Sequence, residues 1–208
     1  MNKVFGLISD YAAVKDDASR VVVSYDYDEV DGGNATWYEV YLYKNQISQL
    51  NIEAVKNAVI GDINARTDEK ILKGFVWNGK PVYLSTENQF NFKSAYDLAV
   101  QTEGQNLPVK FKLGEDENGE PVYHTFNSVN SIADFYVSGV RFINLTLNEG
   151  WADKDAIDWT PYEEALAKIE EDRQAAEAAR IAAEEEARAA EEASKAAEES
   201  EKESEESE

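Results

Sequence analysis

His124 is the only histidine in this chain of 208 residues, and the chain has no cysteine. An imidazole acts as a general base or metal ligand near neutral pH, but either role needs a companion: a nucleophile, an orienting carboxylate or further ligands. His124 stands between two aromatics in Tyr123-His124-Thr125-Phe126 with no such companion in reach of the pattern, so a structural histidine is expected. Two acidic runs raise the question of a cation site. Asp26-x-Asp28-x-x-Asp31-Gly32 resembles the start of an EF-hand loop, but the third acid and the glycine fall one place too late and no bidentate glutamate stands where the loop needs it. Glu115-Asp116-Glu117-Asn118-Gly119 is of the same kind, and both read as acidic hairpin turns. Paired carboxylates are abundant in so acidic a chain and therefore say little about glycosidase-type catalysis. There is no Gly-x-Ser-x-Gly, no phosphate-binding glycine loop and no His-Glu-x-x-His. Without cysteine there is no thiolate nucleophile, disulfide, cysteine-ligated zinc or iron–sulfur site. No catalytic, cofactor-binding or metal-ligating residue is assigned, no cofactor is expected, and the expectation is a protein that is not an enzyme. The aromatics Trp37, Tyr38, Tyr41, Tyr43, Trp77, Tyr83, Tyr123, Phe135, Tyr136, Trp151 and Trp159 could form a sugar- or peptide-binding face, but core packing and cross-strand pairing are the favoured use for them.

The elements that would position these side chains are announced by an internal echo. Asn78-Gly79-Lys80-Pro81-Val82-Tyr83 returns as Asn118-Gly119-Glu120-Pro121-Val122-Tyr123, forty residues later. Each copy sets an Asn-Gly pair, which tolerates the positive φ of a tight turn, before a β-rich stretch. The first hairpin joins residues 75–77 to 81–84, and Ser85 or Thr86 then caps a helix to about residue 101, with Thr86-x-x-Gln89 matching a capping box. In the second copy residues 109–113 alternate with period two, residues 114–119 turn the chain, and residues 122–126 return it. Ser128 caps a helix with Ile132, Phe135, Tyr136, Gly139 and Ile143 on one face, and the offset pairs Phe92 with Ile132 and Tyr96 with Tyr136. One ββα unit cannot cover its own apolar face, so the two copies should pack together, helices against a shared antiparallel sheet. Upstream, residues 20–27 and 35–43 predict a hairpin around the polar turn 28–34, and Ser48 or Asn51 caps a helix over 52–65. The fold class is α+β, with antiparallel hairpins, packed helices and a long C-terminal helix.

That C-terminal helix opens with Thr160-Pro161-x-Glu163, an N-cap, a proline in the first turn and an acid reaching back. Beyond it the alternating three- and four-residue spacing of a coiled-coil seam is occupied mostly by alanine, too small to bury much area. The expectation is a long single helix, capable of weak self-association, fraying into a disordered acidic run over 198–208. The organisation expected is 1–50 as an N-terminal β-hairpin region, 51–160 as the duplicated ββα domain and 161–208 as an acidic low-complexity tail outside the folded mass. The net charge is −22, divided as −10 before residue 161 and −12 after it. A surface negative throughout repels phosphate backbones and anionic lipid, which argues against nucleic-acid or membrane partners. The first ten residues reach Asp10 too soon for a signal-peptide core, and no apolar window approaches membrane-spanning length.

Residues 68–159 carry a resemblance. Lys73-Gly74-Phe75-Val76-Trp77-Asn78-Gly79, Tyr83-Leu84-Ser85-Thr86-Glu87-Asn88-Gln89-Phe90-Asn91, Ala95-Tyr96-Asp97-Leu98-Ala99-Val100-Gln101-Thr102 and Asn148-Glu149-Gly150-Trp151 resemble uncharacterised phage and prophage tail-module proteins of Bacteroides-type phages, and less closely a small domain of tail-fibre assembly proteins. The resemblance implies a phage structural or assembly role without catalysis, other phage structural proteins as partners, and a location in the virion or in the host cytoplasm during assembly. It brings no catalytic residues with it. Two other classes stand beside it: an acidic decoy that mimics nucleic acid, suggested by the charge, and a carbohydrate-binding module using exposed aromatics.

Overall fold

The computed structural model describes residues 2–205, with side chains through Lys195. The expected first hairpin is present as β3 (Arg20–Val30) and β4 (Asn34–Tyr43), turning through Gly32 and Gly33, both at φ 79°. Two strands that the sequence pattern did not announce extend it to a four-stranded antiparallel sheet: β1 (Asn2–Leu7) beside β4, and β2 (Val14–Asp16) beside β3. The order is β1-β4-β3-β2. Val21, Val23 and Tyr25 alternate onto one face and lie opposite Leu42, Val40 and Tyr38 across the β3–β4 ladder. After Tyr25 the register breaks at a bulge where Asp26 takes φ 56°.

Helix α1 (Ile52–Lys73) covers that face. Asn51 is its cap, the side-chain oxygen accepting from the Ala54 N–H at 2.9 Å, and Val55, Val59 and Ile63 form its buried stripe. The helix passes residue 65, where the apolar stripe gives out, and stops at Gly74. Its last turns are held by a neighbouring helix instead of by the sheet. The first turns of α4 (Thr160–Glu205) close the same core: Tyr162 is 4 % exposed, with Leu166 and Ile169 packed beside it. Residues 52–63 and 162–169, read from sequence as parts of the duplicated unit and of the tail, are thus what buries the N-terminal sheet. Thr160 is inside α4 and not its cap. Asp158 accepts the Thr160 N–H at 3.0 Å, while the Trp159 carbonyl accepts from Tyr162 and Glu163.

The duplicated region forms β5 (Phe75–Trp77), β6 (Lys80–Val82), α2 (Thr86–Gln101), β7 (Val109–Glu115), β8 (Pro121–Phe126) and α3 (Val129–Asp155), the α+β arrangement expected. Phe75, Trp77, Phe92, Phe126, Ile132 and Phe135 pack into one core. Equivalent residues of the two copies meet: Tyr96 stacks on Tyr136 with ring centroids 4.8 Å apart and planes at 18°. Three details differ from the sequence reading. The two hairpins do not share a ladder; each is a separate two-stranded sheet, joined by one bond from the Tyr83 N–H to the Leu113 carbonyl at 2.7 Å. In a two-residue hairpin the outward-facing position of β6 is Pro81, which has no N–H to offer β7. The echoed turns also differ. Asn78 and Gly79 take φ 48° and 71°, whereas of the second pair only Gly119 is positive, because Asp116 organises a longer loop by accepting from the Asn118 and Glu120 N–H groups. Ser85, not Thr86, caps α2, and Gln89 donates to the Leu84 carbonyl instead of closing a capping box.

The two cores are joined where α1 crosses α3. Gly150 of α3 sits against Thr67 of α1 so closely that a Cβ there would overlap the threonine hydroxyl. The Thr67 hydroxyl is itself tied to the Ile63 carbonyl at 2.9 Å.

Candidate protein-interaction site

One extended uncovered surface among the described residues is α4 beyond its docked turns, residues 174–195. Two polar contacts tie the helix to the sheet. The Tyr162 hydroxyl donates to the Ser24 carbonyl on β3 at 3.0 Å, and the Trp159 ring lies 5.4 Å from the Tyr162 ring. Arg173 bonds Asp16 on β2 at 2.7 Å, where Lys44 at the end of β4 also sits 2.7 Å from the carboxylate. Burial raises the Asp16 pKa, but hydrogen bonds from Lys44 and Arg173 outweigh it and hold the carboxyl below its ordinary range. Burial also pushes the Tyr162 phenol well up, so it stays a donor. From residue 174 through 195 every side chain is exposed. Arg180 pairs with Glu177 and Glu184, Arg188 with Glu192, and Lys195 with Glu191, all within the helix. The helix runs on to Glu205, so residues 198–205 are helical where the sequence suggested disorder; residues 206–208 of that run lie outside the described residues.

A second surface is an apolar cleft of about 210 Å³ between α2 and α3. Phe75, Phe92 and Phe135 make its floor, and Phe90 and Val140 stand exposed at its rim. A third is a wider groove of about 520 Å³ between α1 and α3, where the cations Arg66, Lys70 and Lys73 alternate with Glu69, Glu149 and Asp153. At its inner end Asp62 accepts from the Tyr25 hydroxyl at 2.5 Å, and the Arg66 guanidinium lies 3.8 Å over the Tyr38 ring and 3.7 Å from Asp26. Burial first, then the bond to Asp62, raises the Tyr25 phenol far above its ordinary range, so it donates a proton and does not lose one. This network was not legible in the sequence. Its only trace is the i, i+4 pair Asp62 and Arg66 on α1.

The residues singled out from the sequence are scattered. His124 packs edge-on to Trp77 and Phe126, with Lys80 Nζ 2.9 Å from Nδ1. Burial, then the Lys80 charge, lowers its pKa, and the imidazole is the acceptor of that bond. Asp26 faces Arg66, Asp31 lies in the turn, and Asp116 is occupied by loop N–H groups. Among the described residues no three His, Asp or Glu side chains converge as metal ligands. Of the aromatics, Trp37, Trp77 and Phe135 are buried, whereas Tyr43, Tyr83, Tyr123 and Trp151 are exposed. Among the described residues no helix is long and apolar enough to cross a membrane. Comparison with protein-family models, with curated proteins and with solved structures finds no match to this chain.

Proposed function

We propose that this chain is a phage virion-associated structural protein or a tail-fibre assembly protein, acting by binding other phage structural proteins and carrying out no catalysis. The observation that carries the reading is α4: a helix locked into the N-terminal core by Tyr162 and Arg173, then exposed along its whole length from residue 174 to the last described side chain. At about 1.5 Å per residue, the thirty-odd residues past Arg173 extend roughly 48 Å from the anchor. A helix held at one end and exposed over residues 174–195 presents a long surface in a fixed direction, which suits docking and not turnover. The phage setting rests on the resemblance of residues 68–159 to tail-module proteins. Their aromatic core frames the α2–α3 cleft, a second place for a partner's apolar side chain.

Mass spectrometry of purified particles beside lysate of infected cells tests the reading. Stoichiometric presence in particles makes the chain a structural component, located in the virion. Presence in lysate alone points to an assembly factor of the host cytoplasm or to the acidic decoy. Absence from both removes the phage role.

A further inference from the structure

We propose that the outer edge of β1 pairs with the same edge of a second copy of this chain, joining two four-stranded sheets into one eight-stranded sheet across a two-fold axis at Phe5. The strand order leaves β1 at the edge, paired with β4 alone. The opposite edge strand, β2, has three residues and is covered by α4 through Asp16 and Arg173. The phase of the β1–β4 ladder is set by the Ile8 N–H, which donates to the Gly33 carbonyl at 3.1 Å. Antiparallel pairs alternate between bonded and non-bonded, so Gly6, Val4 and Asn2 also direct their main-chain groups to β4. Lys3, Phe5 and Leu7 therefore direct theirs outward.

Natural edge strands are guarded by proline, a bulge, clustered charge or a covering element. Among the described residues β1 has none of these: its register with β4 is unbroken over Asn2–Leu7, it contains no proline, and Lys3 is its one charge. Phe5 and Leu7 are 67 % and 53 % exposed. They share the face of Tyr38, opposite Lys3, and of Thr36, opposite Phe5; this is the core face of the sheet continued past the reach of α1. An apolar face beside an open edge is the pattern of strand addition, in which main-chain bonds supply affinity and alternate side chains supply fit.

Charge selects the occupant. The chain carries −22, yet residues 2–9 contain no acid. Two copies each carrying −22 repel one another, and an edge strand free of acids is a place where they can meet without setting carboxylate against carboxylate. The edge is also self-complementary. Centred on Phe5, antiparallel pairing sets Phe5 against Phe5 of the second copy and Lys3 against its Leu7, with two main-chain bonds for each of the three outward pairs. The two lysines then stand about 14 Å apart along the strands, beyond the screening length at physiological salt.

Sedimentation equilibrium and amide hydrogen exchange on the full chain test this. From about 1 to 100 µM the mass should rise from 23.3 kDa towards twice that value. In the dimer the amides of Lys3, Phe5 and Leu7 should be protected along with those of Val4 and Gly6; in the dilute monomer only Val4 and Gly6 should be. Phe5→Pro removes an outward N–H and no bond to β4, so it should keep the fold by circular dichroism and remain monomeric throughout. Should that variant misfold, Leu7→Lys sets two cations against each other at each end of the pairing and must give the same monomer. A mass of 23.3 kDa at every concentration overturns the proposal, as does a dimer retained in the folded variant or one in which the Phe5 amide exchanges freely.

Discussion

Replacing Tyr162 with alanine should unseat α4 and destabilise the N-terminal core together. A buried aromatic side chain removes about 150–250 Å² from water, worth roughly 4–6 kcal/mol at about 25 cal/mol per Å². Part of that area is the polar hydroxyl and part of the site will relax, which brings the expected loss to about 4 kcal/mol, within the range for large aromatics cut to alanine. For a chain of this size that is a fall in melting temperature of roughly 8–16 °C. Tyr162→Phe separates the two contributions. It keeps the packing, leaves the Ser24 carbonyl without its donor at 3.0 Å, and should cost about 1–2 kcal/mol. Urea denaturation followed by tryptophan fluorescence is the assay, since Trp159 lies 5.4 Å from the ring being removed. Truncation after residue 174 is the control. The described side chains it removes, those of residues 175–195, are all exposed, and it should change the unfolding free energy by no more than about 0.5 kcal/mol. A Tyr162→Ala effect as small as that of the truncation would refute the anchoring, and with it the claim that the arm is held in one direction.

Two further perturbations read other parts of the fold. Gly150→Ala forces a methyl group onto Thr67 and should cost about 1–3 kcal/mol by overpacking the α1–α3 crossing; adding Thr67→Ala should recover part of it, measured as coupling in a double-mutant denaturation cycle. His124 gives a pH dependence. Its folded pKa is lowered from 6.5, so the unfolded chain takes up a proton that the folded chain resists; stability should be complete above pH 6.5 and decline below it, and His124→Gln should flatten that window in melting curves taken at successive pH values.

The parts of this fold legible in the sequence are those in which a local rule and the tertiary structure agree. Asn51, Ser85 and Ser128 are caps by residue type and caps in the structure. The forty-residue echo anticipated that Tyr96 and Tyr136 occupy equivalent places, and they stack on each other. What escaped depends on partners distant in the chain. β1 has a glycine one place from its end and too little alternation to declare itself; it is a strand because Val4 and Gly6 lie along β4 beside Trp37, whose ring fills the space a side chain at Gly6 would need. The last turns of α1 have no apolar stripe of their own and are fixed by α3 across Thr67 and Gly150. Tyr162 looked like part of a low-complexity tail because composition averages over a window, whereas burial is decided one side chain at a time. The open edge of β1 and the Tyr25–Asp62–Arg66 network were invisible for the same reason: their members come from different elements.

The anchor also explains why the arm is a helix at all. Starting an isolated helix is costly because several residues must be ordered before the first bond forms, whereas each further residue is ordered almost without cost when it is alanine, glutamate or arginine. Here the first turn is not isolated. Asp158 and the Trp159 carbonyl occupy its N-terminal donors, and Tyr162, Leu166 and Ile169 fix its inner face against the sheet, so nucleation is supplied by tertiary packing. Propagation is then left to local terms: alanine's propensity, and ion pairs such as Arg180 with Glu177 and Glu184, each worth about 0.2–0.5 kcal/mol and all screened by salt. It follows that the far part of α4 should lose helix on salt addition or when the anchor is cut, while the core it springs from responds to the anchor alone. An arm whose helix is started by a buried tyrosine and carried on by its own alanines and ion pairs leaves the body already ordered, without a packed seam to hold it.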